Sequence, residues 1–147
     1  MARNVYFSFH YDRDSWRAGI VRNSNVISSY DKTYTDSAEW EAIKKSSDDA
    51  VKKWITEQLK GTTVTVVLIG KETSTRKWVQ YEIAKSVELG KGLLGIYIHK
   101  IENASKETDE AGDNPLPSGY PTYLWYKDDG RENLGKWIEK AATAAGL

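Results

Sequence analysis

The most strongly apolar stretch of the chain is Val64 to Ile69, an almost continuous run of β-branched and aliphatic residues. Such a run is typical of a central strand that is covered on both faces, as in a parallel sheet. Gly70 ends the run. A polar turn follows, in which Thr73, Ser74 or Thr75 is expected to cap the next helix through a side-chain oxygen.

The helix predicted after this turn carries Trp78 and Glu82. Because these residues are four positions apart, their side chains share one face of the helix near the carboxyl end of the strand. Ligands of open α/β sheets bind outside the carboxyl ends of the strands. A carboxylate beside a large aromatic ring at this place is therefore a candidate site.

Other short apolar or aromatic runs predict further strands before and after this strand and helix. The predicted strands are Val5–Phe9, Val26–Ile27, Leu93–Ile98 and Thr122–Tyr126. Two polar segments, Ser28–Ser37 and Ile101–Tyr120, are predicted to be loops. Strands that alternate with helical patterns predict an α/β fold, with one parallel sheet, helices on both of its faces and a single domain over residues 1–147.

The helices are predicted from apolar residues at helical spacing. Asp14 or Ser15 is expected to cap a first helix, which carries the apolar residues Trp16, Ile20 and Val21 and ends near Asn23. Between Trp40 and Lys60 a polar cluster, residues 46–49, predicts two helices or a bend, with Gly61 as the stop. Apolar residues between Leu134 and Ala141 predict a final helix.

Composition narrows the range of partners. The 21 Lys and Arg residues balance the 21 Asp and Glu residues, so net charge favours neither nucleic acid nor an anionic membrane as a partner. No apolar run approaches the roughly 20 residues that cross a bilayer. The absence of Cys excludes disulfides and thiolate metal sites and leads us to expect a cytoplasmic protein. Six Trp and nine Tyr residues offer rings on which a planar ligand could stack.

Several ligand sites that are common in such sheets lack their residues here. A P-loop needs a Gly-rich turn that ends in Lys-Ser or Lys-Thr, whereas Gly70 is followed by Lys-Glu. Rossmann and FMN sites need glycines or other small residues after the first strand, where residues 10–14 read His-Tyr-Asp-Arg-Asp. A phosphate-accepting receiver domain needs an Asp at the position of Gly70. Two histidines, His10 and His99, do not predict a metal site.

Glu82 remains as the residue with candidate chemistry. A carboxylate at this rim could bind a pair of sugar hydroxyls and stabilise positive charge on an anomeric carbon, as the breaking of an N-glycosidic bond requires. Aromatic rings beside it could stack on a base or on nicotinamide. The alternative from the residues alone is a solvated helix glutamate paired with Arg76 or Lys85, with Trp78 in the core.

Four segments resemble the TIR-like domains of the Thoeris antiphage defence system, the ThsB family. They are Val5-Tyr-Phe-Ser-Phe-His-Tyr11, Trp40-Glu-x-x-Lys-Lys-Ser-Ser-Asp48, Val67-Leu-Ile-Gly70 and Arg76-x-Trp-Val-x-Tyr-Glu-Ile83. The last segment is the most specific. The resemblance covers residues 3–100 and fades towards the carboxyl terminus. It implies a flavodoxin-like TIR sheet of about five parallel strands.

The resemblance also implies an activity. Members of this family take NAD+ as substrate, without a further cofactor or a metal, release nicotinamide and form a cyclic ADP-ribose isomer. This diffusible product activates a partner effector protein, and the enzymes often assemble into homo-oligomers that complete the site. The family's catalytic glutamate falls on Glu82 and its neighbouring tryptophan on Trp78.

The resemblance implies further substrate-binding residues. The end of the first strand, which helps to form the pocket in TIR enzymes, maps to Ser8, Phe9, His10 and Tyr11. The family often has arginines at the last two of these positions, so this chain departs from the pattern there. Ser46 and Asp48 are expected at the pocket rim, and Thr73 either caps a helix or contacts the ligand.

Two other functions are compatible with the same sequence. A non-catalytic TIR-like adaptor would bind partner domains through its surface helices and the Ser28–Ser37 loop, and it would tolerate replacement of Glu82. A nucleotide-binding sensor would hold an ADP-ribose-like ligand without converting it, and it would depend on the rim aromatics.

Overall fold

The computed structural model describes residues 4–24, 31–33 and 37–147. Its five strands are β1 (Asn4–Ser8), β2 (Asp31–Thr33), β3 (Val64–Ile69), β4 (Gly92–Tyr97) and β5 (Thr122–Leu124). They pair in parallel in the order β2-β1-β3-β4-β5. This is the strand order of flavodoxin-like sheets, and it confirms the predicted α/β fold with about five parallel strands.

Helices cover both faces of the sheet. They are α1 (Tyr11–Arg22), α2 (Ser37–Lys44), α3 (Asp48–Lys60), α4 (Lys77–Glu88) and α5 (Gly130–Ala144), and a 3-10 helix, Thr73–Thr75, precedes α4. Successive side chains of a strand point to opposite faces. Val66 of β3 accordingly packs in a cluster with residues of α1 and α5, whereas Val67 packs with α4. This explains why every residue of β3 is buried.

The chain breaks between α2 and α3 at the polar cluster that was predicted to cap a new helix. The Ser47 hydroxyl accepts a hydrogen bond from the Ala50 amide at 3.2 Å and so caps α3, which Gly61 ends. The prediction of two helices between Trp40 and Lys60 is therefore confirmed.

The loop prediction for Ser28–Ser37 is wrong in part, because the segment contains a strand. The described strand is β2, three polar residues (Asp-Lys-Thr) inside the segment predicted as a loop, and it pairs with β1. An edge strand this short needs no apolar alternation, because backbone hydrogen bonds to one neighbour hold it. The predicted strand Val26–Ile27 and the rest of the predicted loop up to residue 36 lie outside the described residues.

The predicted start of the first helix is also wrong. The helix begins at Tyr11, with His10 as its N-cap residue and no side-chain cap, and Asp14 lies inside its first turns. The carboxylate of Asp14 does not cap the helix, since it is fully buried and pairs with Arg17 at 3.2 Å.

The face of α1 that packs on the sheet differs in part from the prediction. Trp16 and Ile20 are 58% and 41% exposed, whereas Val21 is buried as expected, together with Ala18. The buried face also carries the charged pair formed by Asp14 and Arg17, and hydrophobic spacing alone does not reveal such a pair.

Arg17 fixes the long segment that was predicted as a loop. Its guanidinium donates hydrogen bonds to the carbonyl oxygens of Ile101 at 2.6 Å and Glu107 at 2.9 Å, and to the carboxylate of Asp109 at 2.8 Å. Arg13 binds the same carboxylate at 2.9 Å. No helix or strand occurs between residues 98 and 121, so the loop prediction is confirmed.

The helix after β3 begins differently from the prediction. Its N-cap residue is Arg76, which makes no side-chain cap. The hydroxyl of Thr73 instead accepts a hydrogen bond from the Gly70 amide at 2.7 Å. The threonine therefore closes the turn after β3 and does not cap the helix.

No helix among the described residues is both long enough and apolar enough to span a membrane.

Candidate active site

A cleft opens where β1 ends and α4 begins, on the sheet face that α2, α3 and α4 cover. Its cavity volume is about 280 Å³. The residues that line it are Tyr6, Phe7, Phe9, His10, Tyr11, Asp12, Trp40, Lys44, Arg76, Lys77, Trp78, Val79 and Glu82. In this strand order the connections change direction between β1 and β3, which is where open α/β sheets bind ligands.

Glu82 lies at the inner end of the cleft and is 8% exposed. The Tyr6 hydroxyl donates a hydrogen bond to its Oε2. The Ser8 hydroxyl donates a second hydrogen bond, of 2.8 Å, to its Oε1. Both donors lie on β1 two residues apart, so they project from the same face of the strand towards α4. The two hydroxyls therefore hold the carboxylate by both of its oxygens.

The surroundings of Glu82 change its ionisation. Burial raises the pKa of its carboxyl group from 4.5 to about 7, and the hydrogen bonds from Tyr6 and Ser8 oppose this rise. Burial acts in this direction because it disfavours the charged form, whereas donors to the carboxylate favour that form. Glu82 can therefore exchange a proton at neutral pH, as groups that catalyse proton transfer or stabilise charge commonly do.

Aromatic rings form one wall of the cleft. Phe9 and Tyr11 stack with ring centroids 5.0 Å apart, and Tyr11 lies 6.2 Å from Trp40. Trp78 lines the cleft beside Glu82, one helical turn earlier on α4. Flat rings of this kind suit a planar ligand, which can stack on them without a directional hydrogen bond.

Cationic side chains line the cleft as well. Lys44 binds Glu41 at 3.1 Å and Asp12 at 3.6 Å. Lys77 binds Asp48 and lies over the ring of Trp78, with its Nζ 4.7 Å from the ring centroid. Within the described part of the chain, Arg76 is the lining cation without an ion pair to a carboxylate. Its guanidinium is therefore available to an anionic group of a ligand.

His10 is the remaining titratable group of the strand end. Burial and the charge of Arg76 lower its pKa, although Asp14, Asp12 and Glu72 act in the opposite direction. An uncharged imidazole is therefore favoured at neutral pH. Over the described ranges, no cluster of three or more His, Asp or Glu side chains could hold a metal ion.

The structure brings most of the predicted site residues together. Glu82, Trp78, Phe9, His10 and Tyr11 line the cleft, and Ser8 contacts the carboxylate of Glu82 from β1. These residues come from β1, α1 and α4, and from the residues that join β1 to α1.

Three predicted site residues lie elsewhere. Ser46 is exposed in the turn between α2 and α3, and Asp48 is exposed at the start of α3, where it binds Lys77. Thr73 is fully buried, and its hydroxyl interacts with the Gly70 amide and the Leu68 carbonyl. None of the three lines the cleft, because the turns that carry them face solvent or the core.

Sequence reasoning missed Tyr6 as a partner of Glu82. A signal was present, since Tyr6 and Ser8 share one face of a strand and both carry hydroxyls. The register shows why they reach Glu82: Tyr6 pairs with Thr65 and Ser8 with Val67 on β3, so these hydroxyls project from the face that α4 covers. Lys77 was also missed as a lining residue, and a surface lysine at a helix start gives no such signal.

Fold and site together define a TIR-like domain with a glutamate in an aromatic cleft. The family described as "Thoeris protein ThsB, TIR-like domain" matches residues 6–103. The chain is also 39% identical over 140 residues to a Bacillus cereus (strain MSX-D12) protein named "Putative cyclic ADP-D-ribose synthase ThsB1". That alignment covers 93% of this chain and 72% of the relative. The chain therefore belongs to the ThsB family of TIR-like domains.

Proposed function

We propose that this protein is an NAD+-cleaving enzyme that releases nicotinamide and forms a cyclic ADP-ribose isomer. The observation that carries the proposal is a buried carboxylate, Glu82, held by two hydroxyls at the inner end of an aromatic cleft. Membership of the ThsB family and the name of the Bacillus cereus relative support the same chemistry.

The cleft suits one half of the substrate. Its volume of about 280 Å³ lies just below the range of about 300–1,000 Å³ typical of small-molecule pockets. We assign the inner part to the nicotinamide and its ribose, with Phe9 or Trp78 as the shelf under the ring. The diphosphate then extends towards Arg76, whose guanidinium can bind phosphate oxygens in a bidentate manner.

The first chemical step breaks the bond between the anomeric carbon and the nicotinamide nitrogen. The bonding electron pair leaves with the nitrogen, so the pyridinium becomes neutral nicotinamide and positive charge develops on the ribose. Ionised Glu82 accepts hydrogen bonds from the ribose hydroxyls and stabilises that charge. In a cleft with little water this electrostatic effect is stronger than it would be in solvent.

The second step forms the ring. A nucleophile from the same molecule, either a ribose hydroxyl or an adenine nitrogen, bonds to the anomeric carbon. A hydroxyl nucleophile releases its proton in this step. Cyclisation requires that the aromatic walls exclude water from the anomeric carbon, because attack by water would give linear ADP-ribose instead.

The cyclic product is proposed to be a second messenger in antiphage defence. It would diffuse through the cytoplasm to a partner effector protein and activate it, so the two proteins need not touch. Assembly of several copies is proposed to complete the site, as the resemblance implies, which would make activity depend on protein concentration.

The test is to incubate NAD+ with concentrated protein and to analyse the products by chromatography and mass spectrometry. We expect nicotinamide and a cyclic ADP-ribose isomer, whose mass is that of linear ADP-ribose minus one water. Glu82→Gln is expected to lower nicotinamide release at least about 100-fold, because the neutral amide stabilises positive charge poorly. Glu88→Gln is the matched control: this residue lies on the same helix, is exposed and binds Lys85 at 3.0 Å.

Other outcomes separate the alternatives. Equal activity of Glu82→Gln and wild type would contradict the assignment of the glutamate. Intact NAD+, both with purified protein and in lysate from phage-infected cells, would refute the enzyme. Tight binding of ADP-ribose without conversion would then favour a sensor, and no binding would favour an adaptor.

A further inference from the structure

The Tyr6 hydroxyl is a buried polar group that contacts Glu82 but takes part in neither of the proposed bond-breaking and ring-forming steps. Tyr6 is 1% exposed and belongs to a core cluster with Val51, Ile55 and Leu59 of α3. These aliphatic side chains fix the ring, because a close-packed phenol cannot change rotamer without opening a cavity. The hydroxyl is thereby held at the Oε2 of Glu82.

We propose that Tyr6 is a positioning residue, whose hydroxyl acts with that of Ser8 to hold the Glu82 carboxylate in one orientation. Each carboxylate oxygen can accept about two hydrogen bonds, so each keeps capacity for a ribose hydroxyl after it has bound its β1 donor. With Ser8 as the only donor, the carboxylate group could still rotate about the bond that joins it to the side chain. The proposal rests on the proposed function for its consequence in catalysis, but the contact itself can be tested without any substrate.

The contact also favours the ionised form of Glu82, because a donated hydrogen bond stabilises a carboxylate more than a carboxylic acid. Removal of the Tyr6 hydroxyl is therefore expected to raise the pKa of Glu82. The other charged and titratable groups that line the cleft stay in place when this hydroxyl is removed. They are His10 after β1, Asp12 and Tyr11 on α1, Lys44 on α2, and Arg76 and Lys77 at the start of α4. From α3, the apolar side chains of Val51, Ile55 and Leu59 share a core cluster with Tyr6.

The first experiment measures nicotinamide release as a function of pH for wild type and Tyr6→Phe. Since only ionised Glu82 stabilises the developing charge, activity falls as pH drops through its pKa. In the variant we expect the midpoint of this fall to move upwards by about one pH unit, with a partial recovery of rate at alkaline pH. A midpoint that stays in place while activity falls equally at every pH would indicate a merely structural role and would overturn the proposal.

Tyr81→Phe is the matched control. Tyr81 precedes Glu82 on α4 and packs against the same core cluster, but its hydroxyl lies 3.2 Å from that of Thr56 and does not line the cleft. We expect its pH profile to match that of wild type. An equal shift in both variants would show that loss of any tyrosine hydroxyl near α4 has this effect, and it would refute a specific role for Tyr6.

The second experiment does not depend on activity. Protein labelled with carboxyl-¹³C glutamate is titrated by NMR, and the Glu82 signal is assigned by its absence from Glu82→Gln. We expect a midpoint near neutral pH in wild type and about one unit higher in Tyr6→Phe. Equal midpoints would overturn the proposal even if NAD+ is cleaved. If NAD+ is not cleaved, a raised midpoint in the variant would still establish the contact, and only the proposed function would fail.

Discussion

Replacement of Glu82 by Gln is expected to change how stability depends on pH. The folded state raises the pKa of this carboxyl from 4.5 to about 7, so the folded protein binds a proton more tightly than the unfolded chain does. Stability from this group is therefore fully present below pH 4.5 and is lost as pH rises through 7. With about 1.4 kcal/mol for each pKa unit, wild type loses roughly 2–3 kcal/mol between pH 5 and pH 8 through Glu82.

The amide of the variant does not titrate, so the variant lacks this loss. We expect the free energy of unfolding of Glu82→Gln to rise by roughly 2–3 kcal/mol relative to wild type between pH 5 and pH 8. The assay is urea unfolding followed by Trp fluorescence at several pH values. The difference in the free energy of unfolding between the two proteins removes the contribution of the other titrating groups. Glu88→Gln is the control, because it shows how the same substitution at an exposed position of α4 changes that free energy. A difference that is constant across this range would refute a buried, titrating Glu82.

Two further substitutions test the packing beside the site. Gly70→Ala is expected to destabilise the fold by about 1–3 kcal/mol, because its Cβ would lie 2.3 Å from the buried Oδ2 of Asp14. Gly61→Ala should be nearly neutral, because its Cβ would have no atom within 4 Å. Urea unfolding measures the free energy of unfolding of both variants, and equal losses would contradict the close packing at Gly70. Arg17→Met is expected to lower the free energy of unfolding by about 3–5 kcal/mol, because it leaves Asp14 as an unpaired buried charge. It is also expected to speed hydrogen exchange of the Asp109 amide, which donates a hydrogen bond of 2.8 Å to the His99 carbonyl. The exposed Arg131→Met on α5 is its control, and unchanged exchange at Asp109 in the Arg17 variant would show that the guanidinium does not hold this segment.

The sequence was informative for several features that are decided within one element. The run from Val64 to Ile69 and the spacing of Trp78 and Glu82 predicted β3, α4 and the position of the glutamate beside a tryptophan. Both depend on side-chain periodicity within one element, which neighbours in the fold do not alter. The break between α2 and α3 was also predicted from local chemistry, since a serine side chain can cap the helix that follows it.

The parts that were missed depend on contacts between distant segments. The buried pair of Asp14 and Arg17 exists because Asp109 and two carbonyls, more than 80 positions later, complete its hydrogen bonds. Without that segment a charged residue would not remain on the buried face of α1. Ser46 and Asp48 were likewise expected at the pocket rim, but only the path of the turn between α2 and α3 decides whether their side chains face the cleft.

The strand order explains why Glu82 has an unusual pKa at all. Glu82 follows β3 in the chain, whereas Tyr6 and Ser8 come from β1, and the two segments meet because β1 and β3 are neighbours in the sheet. The same adjacency buries the carboxylate and supplies its two donors. The burial that lowers stability above neutral pH therefore also places a chargeable group where a glycosidic bond can be broken. Glu82→Gln is therefore expected to gain stability relative to wild type as pH rises and to lose activity, which is the trade-off that this arrangement predicts.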